Sequence, residues 1–335
     1  MSSLDELSDA HPLPGDWKKP ELYEEVAETP SARLLLTGLT ADHPRYGRVF
    51  AAAADFDEPQ LLRCYFELLE RVGILEAENR EGGDFELKDQ DDRPTGRISS
   101  SDLFPSSETP AIWQYSKSNG VAAHRDWGSA CRNAQLELVE RDRLLRSWYG
   151  QIQPAAIAFE PPVTDPRYRF RMYAFASPRD PCPIFVHGLF AFPLSEEVLF
   201  AYGTGAGWSP EDATRKASRE FLQMYGFLLG EKTETEAPPF APNPSYHQAM
   251  NFRPESREKI GRWLEGAHSA FASAPETPGR AEPETRYADI TPPSLASRIF
   301  IAKAVCPRRL PLTFGRARLR GAEKLPEELL VHPFV

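Results

Sequence analysis

The chain has 335 residues, 41% of them apolar and 26% charged, with 32 prolines and a formal net charge of −10. That length suits one large α/β domain or two ordinary ones; the apolar share excludes wholesale disorder, and the prolines exclude an architecture of long bundled helices. The acidic balance leaves no overall footprint for nucleic acid, and Arg308, Arg309, Arg316, Arg318 and Arg320 read as a solvated basic tail.

The first 30 residues form a polar leader, with acids and prolines where a signal peptide needs a basic start and an apolar run. Strands are expected at ARLLLTGLT and GRVFAAAA, then a helix from about Glu58 to Leu75. Residues 79–109 are charged and rich in Gly, Ser and Pro, the composition of a surface insertion. AIWQYSKS is a strand candidate leading into SNG, and a second helix is expected from near Ser129 to Trp148. RFRMYAFAS, PIFVHGLFAF and VLFAYGTGA supply the middle of a sheet. A third helix runs from Pro210 to about Leu229, with Ser209 as N-cap and Pro210 at the first helical position. KTETEAPPFAPNPSYHQ reads as a loop, PESREKIGRWLEGAHSAF as a helix, ASAPETPGRAEPET as a flexible connection and RIFIAKAVC as a last strand before a proline-containing tail at 321–335.

No segment approaches the roughly 20 apolar residues of a membrane span, so a cytoplasmic protein is expected. Cys64, Cys131, Cys182 and Cys306 are far apart without a C-x-x-C pair, which argues against a zinc ribbon or disulfide framework and for small buried side chains. His124, His187 and His332 are single histidines with no neighbouring ligand or nucleophile and read as structural, as do Trp148 and Tyr149.

The pattern that carries chemistry is an echo: ELLER at Glu67–Arg71 and ELVERD at Glu137–Asp142. Residues three and four apart share a helix face, so Glu67, Glu70 and Arg71 project together, as do Glu137, Glu140 and Arg141. Their neighbours are largely apolar, and carboxylates there need a cation, a metal or a ligand; ion pairing of each Glu with its neighbouring Arg at a solvated edge is the simpler alternative. The third helix adds Lys216, Glu220 and Gln223 on one face after the glycine-rich GTGAGWS. Three such helices suggest a shared Mg²⁺ site, since this cation prefers a few carboxylates plus phosphates. The glycines of SNG and GTGAG are expected to allow close backbone approach to a ligand, although neither is a recognised phosphate-loop fingerprint.

SNGVAA, ELVERD and WYG, within Ser118–Gly150, resemble the YcaO family, in particular the cyclodehydratases that form azolines in ribosomally made peptides. ELLER, GTGAGWSPEDATRKASREFLQ, ADIT, RIFIAKAVCPRRLPLTFG and the final HPFV extend the likeness over roughly Leu34–Val335. The resemblance implies a mixed α/β (α+β) YcaO-like fold, β-sheets packed with helices, as a single large domain over 31–335. It implies ATP and Mg²⁺ as cofactors and phosphorylation of a peptide backbone amide, with cyclodehydration of Cys, Ser or Thr to thiazoline or oxazoline.

Carried over position by position, Glu67, Glu70, Glu137 and Glu140 would hold Mg²⁺ and phosphates. Arg141 and Lys216 would contact phosphates, Ser118 would lie near the nucleotide, and Glu220 and Gln223 would line the site. Glu137, Glu140 and the terminal Val335 would take part in catalysis. The implied partners are a precursor peptide and a separate leader-peptide-binding protein, with neither nucleic acid nor membrane, and with a homodimer left open. The sequence departs from the family at Arg125 and Ser129, where Asn and Glu are usual, and at Lys216, where Arg is usual. Val331 and Val335 replace terminal prolines, and the glycine–lysine stretch usual before the first glutamate helix is not recognisable. A degenerate, non-catalytic YcaO domain acting as scaffold or recognition subunit is therefore the second reading; thioamide formation and ribosomal-protein modification are further ones.

Overall fold

A computed structural model describes residues 3–56, 58–80, 83–106, 112–177, 182–229, 231, 238–267, 285–296, 298–317 and 325–334. In chain order the elements begin with α1 (Leu4–Ala10), β1 (Glu21–Glu28), β2 (Arg33–His43), β3 (Gly47–Asp55), α2 (Leu61–Glu78), β4 (Asp84–Lys88), β5 (Pro94–Ser99) and α3 (Ser100–Leu103). They continue with β6 (Trp113–Tyr115), β7 (Val121–His124), α4 (Trp127–Trp148), β8 (Ala155–Ile157), β9 (Tyr168–Ala174), β10 (Phe185–Pro193), β11 (Ala201–Gly207) and α5 (Pro210–Leu228). The last are α6 (Pro244–Asn251), α7 (Pro254–Leu264), β12 (Arg286–Asp289), β13 (Phe300–Val305) and β14 (Thr313–Gly315). The expected mixed α/β class is the observed one. Two compact units divide the chain, one of residues 1–105, 117–138 and 283–308, the other of 106–116, 139–282 and 309–335.

The first unit contains an antiparallel sheet in the order β1-β2-β3 and a second, also antiparallel, in the order β5-β4-β12-β13-β7. Leu39, Ala41, Ala51 and Ala53 project from one face of β2 and β3 into the core that α2 fills with Leu68, Leu69 and Val72. Burying each such leucine contributes about 1.5–3 kcal/mol. Gly73 lets α2 lie tightly against β13, since a Cβ there would stand 2.5 Å from Ile301 Cδ1.

Within the first 30 residues, expected as a polar leader, α1 is closed by a capping box between Ser3 and Glu6, and β1 pairs along its length with β2. Within 79–109, expected as a surface insertion, β4 joins the five-stranded sheet through β12 and buries Phe85 and Leu87. The charged residues that suggested an insertion alternate with these, as period-two patterning allows.

The second unit holds a four-stranded antiparallel sheet in the order β11-β10-β9-β8 and a two-stranded one of β6 and β14. Ser209 caps α5 by accepting from Asp212 N, with Pro210 in the first turn, as its sequence predicts. Trp263 on α7 lies at the centre of an aromatic cluster, its ring 5.5 Å from both Trp148 and Phe334 and 5.6 Å from Phe175. The segment expected as loop before α7 contains α6, started by Asn243 accepting from Tyr246 N. The expected flexible connection lies almost wholly outside the described residues, as do Arg318, Arg320, 321–324 and Val335. Among the described residues no helix is long and apolar enough to cross a membrane, and no disulfide joins the four cysteines.

Candidate functional site

In the first unit β7 is the edge strand of its sheet, so the N–H groups of Val121 and Ala123, which alternate away from β13, need partners outside the ladder. Carboxylates supply them. Glu137 Oε2 on α4 accepts from Val121 N at 3.2 Å, sharing that donor with Ser118 O at 3.1 Å, and Glu70 Oε1 on α2 accepts from Ala123 N at 2.8 Å. The turn Lys117–Gly120 delivers the chain into this edge; Gly120 adopts φ +68 there, and a Cβ would stand 3.2 Å from Leu138 Cβ and 3.3 Å from Ala304 O. The glycine of SNG is thus required by the turn and by packing of protein on protein, rather than by a ligand.

Glu70 keeps some solvent contact, yet burial pushes its carboxyl up to about 8. The backbone bond from Ala123 opposes that shift, and the charges of Glu137 and Glu67 add to it. Glu67 bonds Arg71 at 2.7 Å on the helix surface. The unit therefore brings Glu67, Glu70 and Glu137 within electrostatic reach of one another. Among the described residues no group of three or more His, Cys, Asp or Glu is arranged to hold a metal by itself. Carboxylates with mutual repulsion and no dedicated cage fit a Mg²⁺ held jointly by protein and phosphate. Arg125 is exposed beyond β7, and its charge acts on His11, helping to lower that imidazole after burial. Ser129 lies in the first turn of α4, its N–H donating to Asp126 at 2.8 Å and its hydroxyl accepting from Arg132 at 2.7 Å.

In the second unit Glu140, one turn further along α4, accepts from Thr204 Oγ1 on β11 at 2.6 Å. Lys216 pairs with Asp212 at 3.6 Å along α5. Glu220 is exposed on the same helix, whereas Gln223 is half-buried with an Oε1 that has no hydrogen-bond partner among the described residues. The glycine-rich strand before α5 is a correction to expectation. A Cβ on Gly203 would lie 2.0 Å from Phe221 N, on Gly205 2.4 Å from Ala217 N, and on Gly207 2.5 Å from Ala213 N. These alternating glycines let α5 lie directly on β11, so the space expected for a ligand is occupied by the helix backbone.

The last residue of ELVERD is structural. Asp142 is 1% exposed and accepts from Arg146 at 2.7 Å, Arg309 at 3.0 Å and Leu310 N at 2.8 Å. His187, read as structural, is buried and bonds Thr214 at 2.9 Å. His332 is also built into the fold: its Nε2 donates to Thr313 O at 2.6 Å and its Nδ1 accepts from Phe334 N at 3.2 Å. His247 Nε2 accepts from Gly315 N at 2.8 Å, and the two imidazoles lie 4.6 Å apart, tilted by 54°. Asn251 Nδ2 and Tyr202 OH both donate to Pro333 O, at 2.5 and 3.1 Å, completing the seat of the C-terminal segment. Val335, assigned to catalysis from the resemblance, lies outside the described residues.

Both buried imidazoles are held neutral. Burial lowers His247 to about 4 and His332 also below the ordinary 6.5, the latter with further contributions from His247 and Arg141. A folded pKa below the unfolded one means the unfolded chain takes up protons first as pH falls. The stabilisation is complete above about 6.5 and is lost as pH drops towards about 4. The midpoint of thermal unfolding is expected to fall over that window, and His332→Phe to flatten the dependence; equal pH slopes for both proteins would contradict this role.

Three residues carried no signal in the sequence: Asp142 as a buried node, His247 and Lys303, whose partners lie up to 168, 68 and 186 positions away. The chain is matched over residues 101–291, more than half its length, by the family model described as YcaO cyclodehydratase, ATP- and Mg²⁺-binding. The chain belongs to the YcaO family. ATP and Mg²⁺, the cofactors expected from the resemblance, are those of this family. No curated protein matches the chain by sequence. Among solved structures the YcaO fold is shared with YcaO from Methanopyrus kandleri bound with AMPPCP and Mg²⁺, at 17% identity and a TM-score of 0.55 over 85% of this chain and 84% of that one. The E. coli microcin synthetase McbBCD complex is similar at 12% identity and a TM-score of 0.53 over 86% and 88%. A heterocyclase in complex with substrate and cofactor is similar at 12% and 0.51, with 92% of this chain covering 53% of that one.

Proposed function

We propose that this YcaO protein uses ATP and Mg²⁺ to activate a peptide backbone amide, closing a Cys, Ser or Thr side chain onto the preceding carbonyl carbon as a thiazoline or oxazoline. The observation that carries the reading is the carboxylate pair on the β7 edge, where Glu70 and Glu137 repel one another and Glu70 is pushed up to about 8. Such a pair favours a divalent cation, and phosphates complete the oxygen ligands it prefers.

Glu67, Glu70, Glu137 and Glu140 would hold Mg²⁺ with its phosphates; the cation would neutralise charge on the transferred phosphoryl group. Arg141 and Lys216 would contact phosphates, Ser118 would bind near the nucleotide, and Glu220 and Gln223 would line the site. The buried, unsatisfied Oε1 of Gln223 supports a ligand contact there. Glu137 and Glu140 are assigned to proton transfer as the side-chain thiol or hydroxyl adds to the amide carbon, and Val335 to positioning. ATP supplies the phosphoryl group that converts the amide oxygen into a leaving group, giving ADP and phosphate with one ring per ATP.

A precursor peptide is the substrate class, presented by a separate leader-binding protein. The microcin synthetase relative is itself a complex and the heterocyclase holds substrate, which supports this arrangement. The scaffold reading is favoured by Arg125 and Ser129, which leave the start of α4 without the carboxylate usual in the family.

A Cys/Ser/Thr-containing peptide carrying ¹⁸O in its backbone carbonyls distinguishes the readings. Amide activation predicts that each ring removes one water and leaves ¹⁸O in the released phosphate. Ring closure without label in phosphate would overturn the mechanism, and peptide binding with neither product would favour the scaffold.

A further inference from the structure

Lys303 lies in the middle of β13, 1% exposed, directly opposite Val121 of β7. A lysine is among the costliest side chains to bury, and here an apolar residue would fill the space with less desolvation. Its ammonium is turned away from solvent. It turns back under the SNG turn, donating to Lys117 O and to Asn119 O at 2.9 Å each, and rests 5.3 Å over the Phe104 ring. Those two carbonyls flank Ser118. The same turn is closed by Val121 N reaching Ser118 O at 3.1 Å, and Gly120 O accepts from Ala304 N, the residue after Lys303, at 2.8 Å.

The turn, the edge N–H groups and the carboxylates thus form one chain of contacts, with Lys303 beneath it. Its charge is felt by Glu137, which counters the lowering that burial imposes on the ammonium.

We propose that Lys303 is a positioning residue of the nucleotide site: by tying the carbonyls on either side of Ser118, it fixes the turn and the β7 edge against which Glu70 and Glu137 are set. The inference rests on the assignment of Mg²⁺ and ATP to Ser118, Glu70 and Glu137. It does not require Lys303 to touch the nucleotide.

The test is calorimetric titration of ATP in Mg²⁺ into the full chain, its Lys303→Met and Lys303→Gln variants, and Val305→Ala. The last removes side-chain packing from the same strand without touching the turn. Removing the donor leaves two carbonyls unmatched, and Lys303→Met is expected to weaken ATP by about tenfold or more. Lys303→Gln, which keeps an N–H donor, is expected to recover part of that loss. Val305→Ala, even where its thermal midpoint falls as far, is expected to bind as the natural chain does.

Natural chain and Lys303→Met binding equally would overturn the role of Lys303 and leave the nucleotide assignment standing; so would equal weakening by Val305→Ala, which would make the effect one of general stability. Absence of binding by the natural chain would instead remove the assignment and the inference with it. If Lys303→Met does not fold, Lys303→Gln decides: unchanged affinity overturns the proposal, several-fold weakening supports it.

Discussion

Glu70→Gln is expected to make the protein more stable and less able to bind Mg²⁺-ATP. Without a cation, the Glu70 carboxyl is raised from 4.5 to about 8, first by burial and then by the charges of Glu137 and Glu67. A folded pKa above the unfolded one means that between about 4.5 and 8 the folded state holds a proton that the unfolded chain has released. Stability therefore declines as pH rises through this window, and the full penalty applies above about 8. Glutamine keeps an oxygen for Ala123 N and never ionises. Because Glu70 retains solvent contact, the gain is smaller than the whole shift would give, on the order of 1–3 kcal/mol at high pH, vanishing below the unfolded pKa. The same change removes a charged oxygen ligand, and ATP affinity in Mg²⁺ is expected to fall about tenfold or more, roughly 1.4 kcal/mol. Thermal unfolding at several pH values, without Mg²⁺, checks the first part. A variant no more stable than the natural chain at pH above about 8 would mean that Glu70 is already compensated within the fold.

The largest effect on stability is expected from Gly203→Ala. The added Cβ would stand 2.0 Å from Phe221 N, 2.5 Å from Ala217 O and 2.6 Å from Phe221 Cα, all backbone atoms of α5. Helix backbone cannot turn aside as a flexible side chain can, so α5 must move off β11 or the strand must bend. A cost above about 3 kcal/mol is expected, at the upper end for overpacked cores, and a thermal midpoint lower by on the order of 10 °C. Gly261→Ala on α7 is the control. Its Cβ would meet only Phe192 Cε1, at 4.0 Å, and relief of the glycine penalty in a helix is expected to add about 0.5–1 kcal/mol. Equal midpoints for natural chain and Gly203→Ala would show that the seam is looser than its geometry.

The GTGAG strand shows where sequence reasoning reaches its limit. Glycines on alternate strand positions allow any close approach, and the pattern alone does not say whether a ligand or a helix makes it. The signal was nevertheless present in part, because Ala213 and Ala217 on the following helix place small residues one turn apart, where the helix backbone meets Gly207 and Gly205. Helices were the more legible elements. Ser209 and Pro210 marked the start of α5 correctly, and the apolar run around ELLER marked α2 as a mostly buried helix. By contrast, β1 reads ELYEEVAE and is exposed on nearly every residue, so no hydrophobic alternation announces it; pairing with β2 alone defines it. β4 was hidden for the opposite reason, its buried Phe85 and Leu87 lying among charged neighbours.

At the site, the helix period correctly placed Glu67 with Glu70, and three-residue spacing set Glu137 and Glu140 one turn apart. It could not reveal that the free N–H groups of an edge strand would meet Glu70 and Glu137, since that depends on pairing of β7 with β13, some 180 positions later. Lys303 was invisible for the same reason: RIFIAKAVC reads as a strand, and the carbonyls of the turn that Lys303 reaches lie more than 180 positions earlier.

Service of Mg²⁺, and through it ATP, by the carboxylates on the β7 edge is measured by calorimetric titration of ATP into the natural chain with and without Mg²⁺, repeated with Glu137→Gln. Saturable binding is expected that requires Mg²⁺ and is weakened about tenfold or more by the substitution. Equal ATP affinity with and without Mg²⁺, unchanged in Glu137→Gln, would contradict it and leave Glu70 and Glu137 as caps for the edge of a sheet.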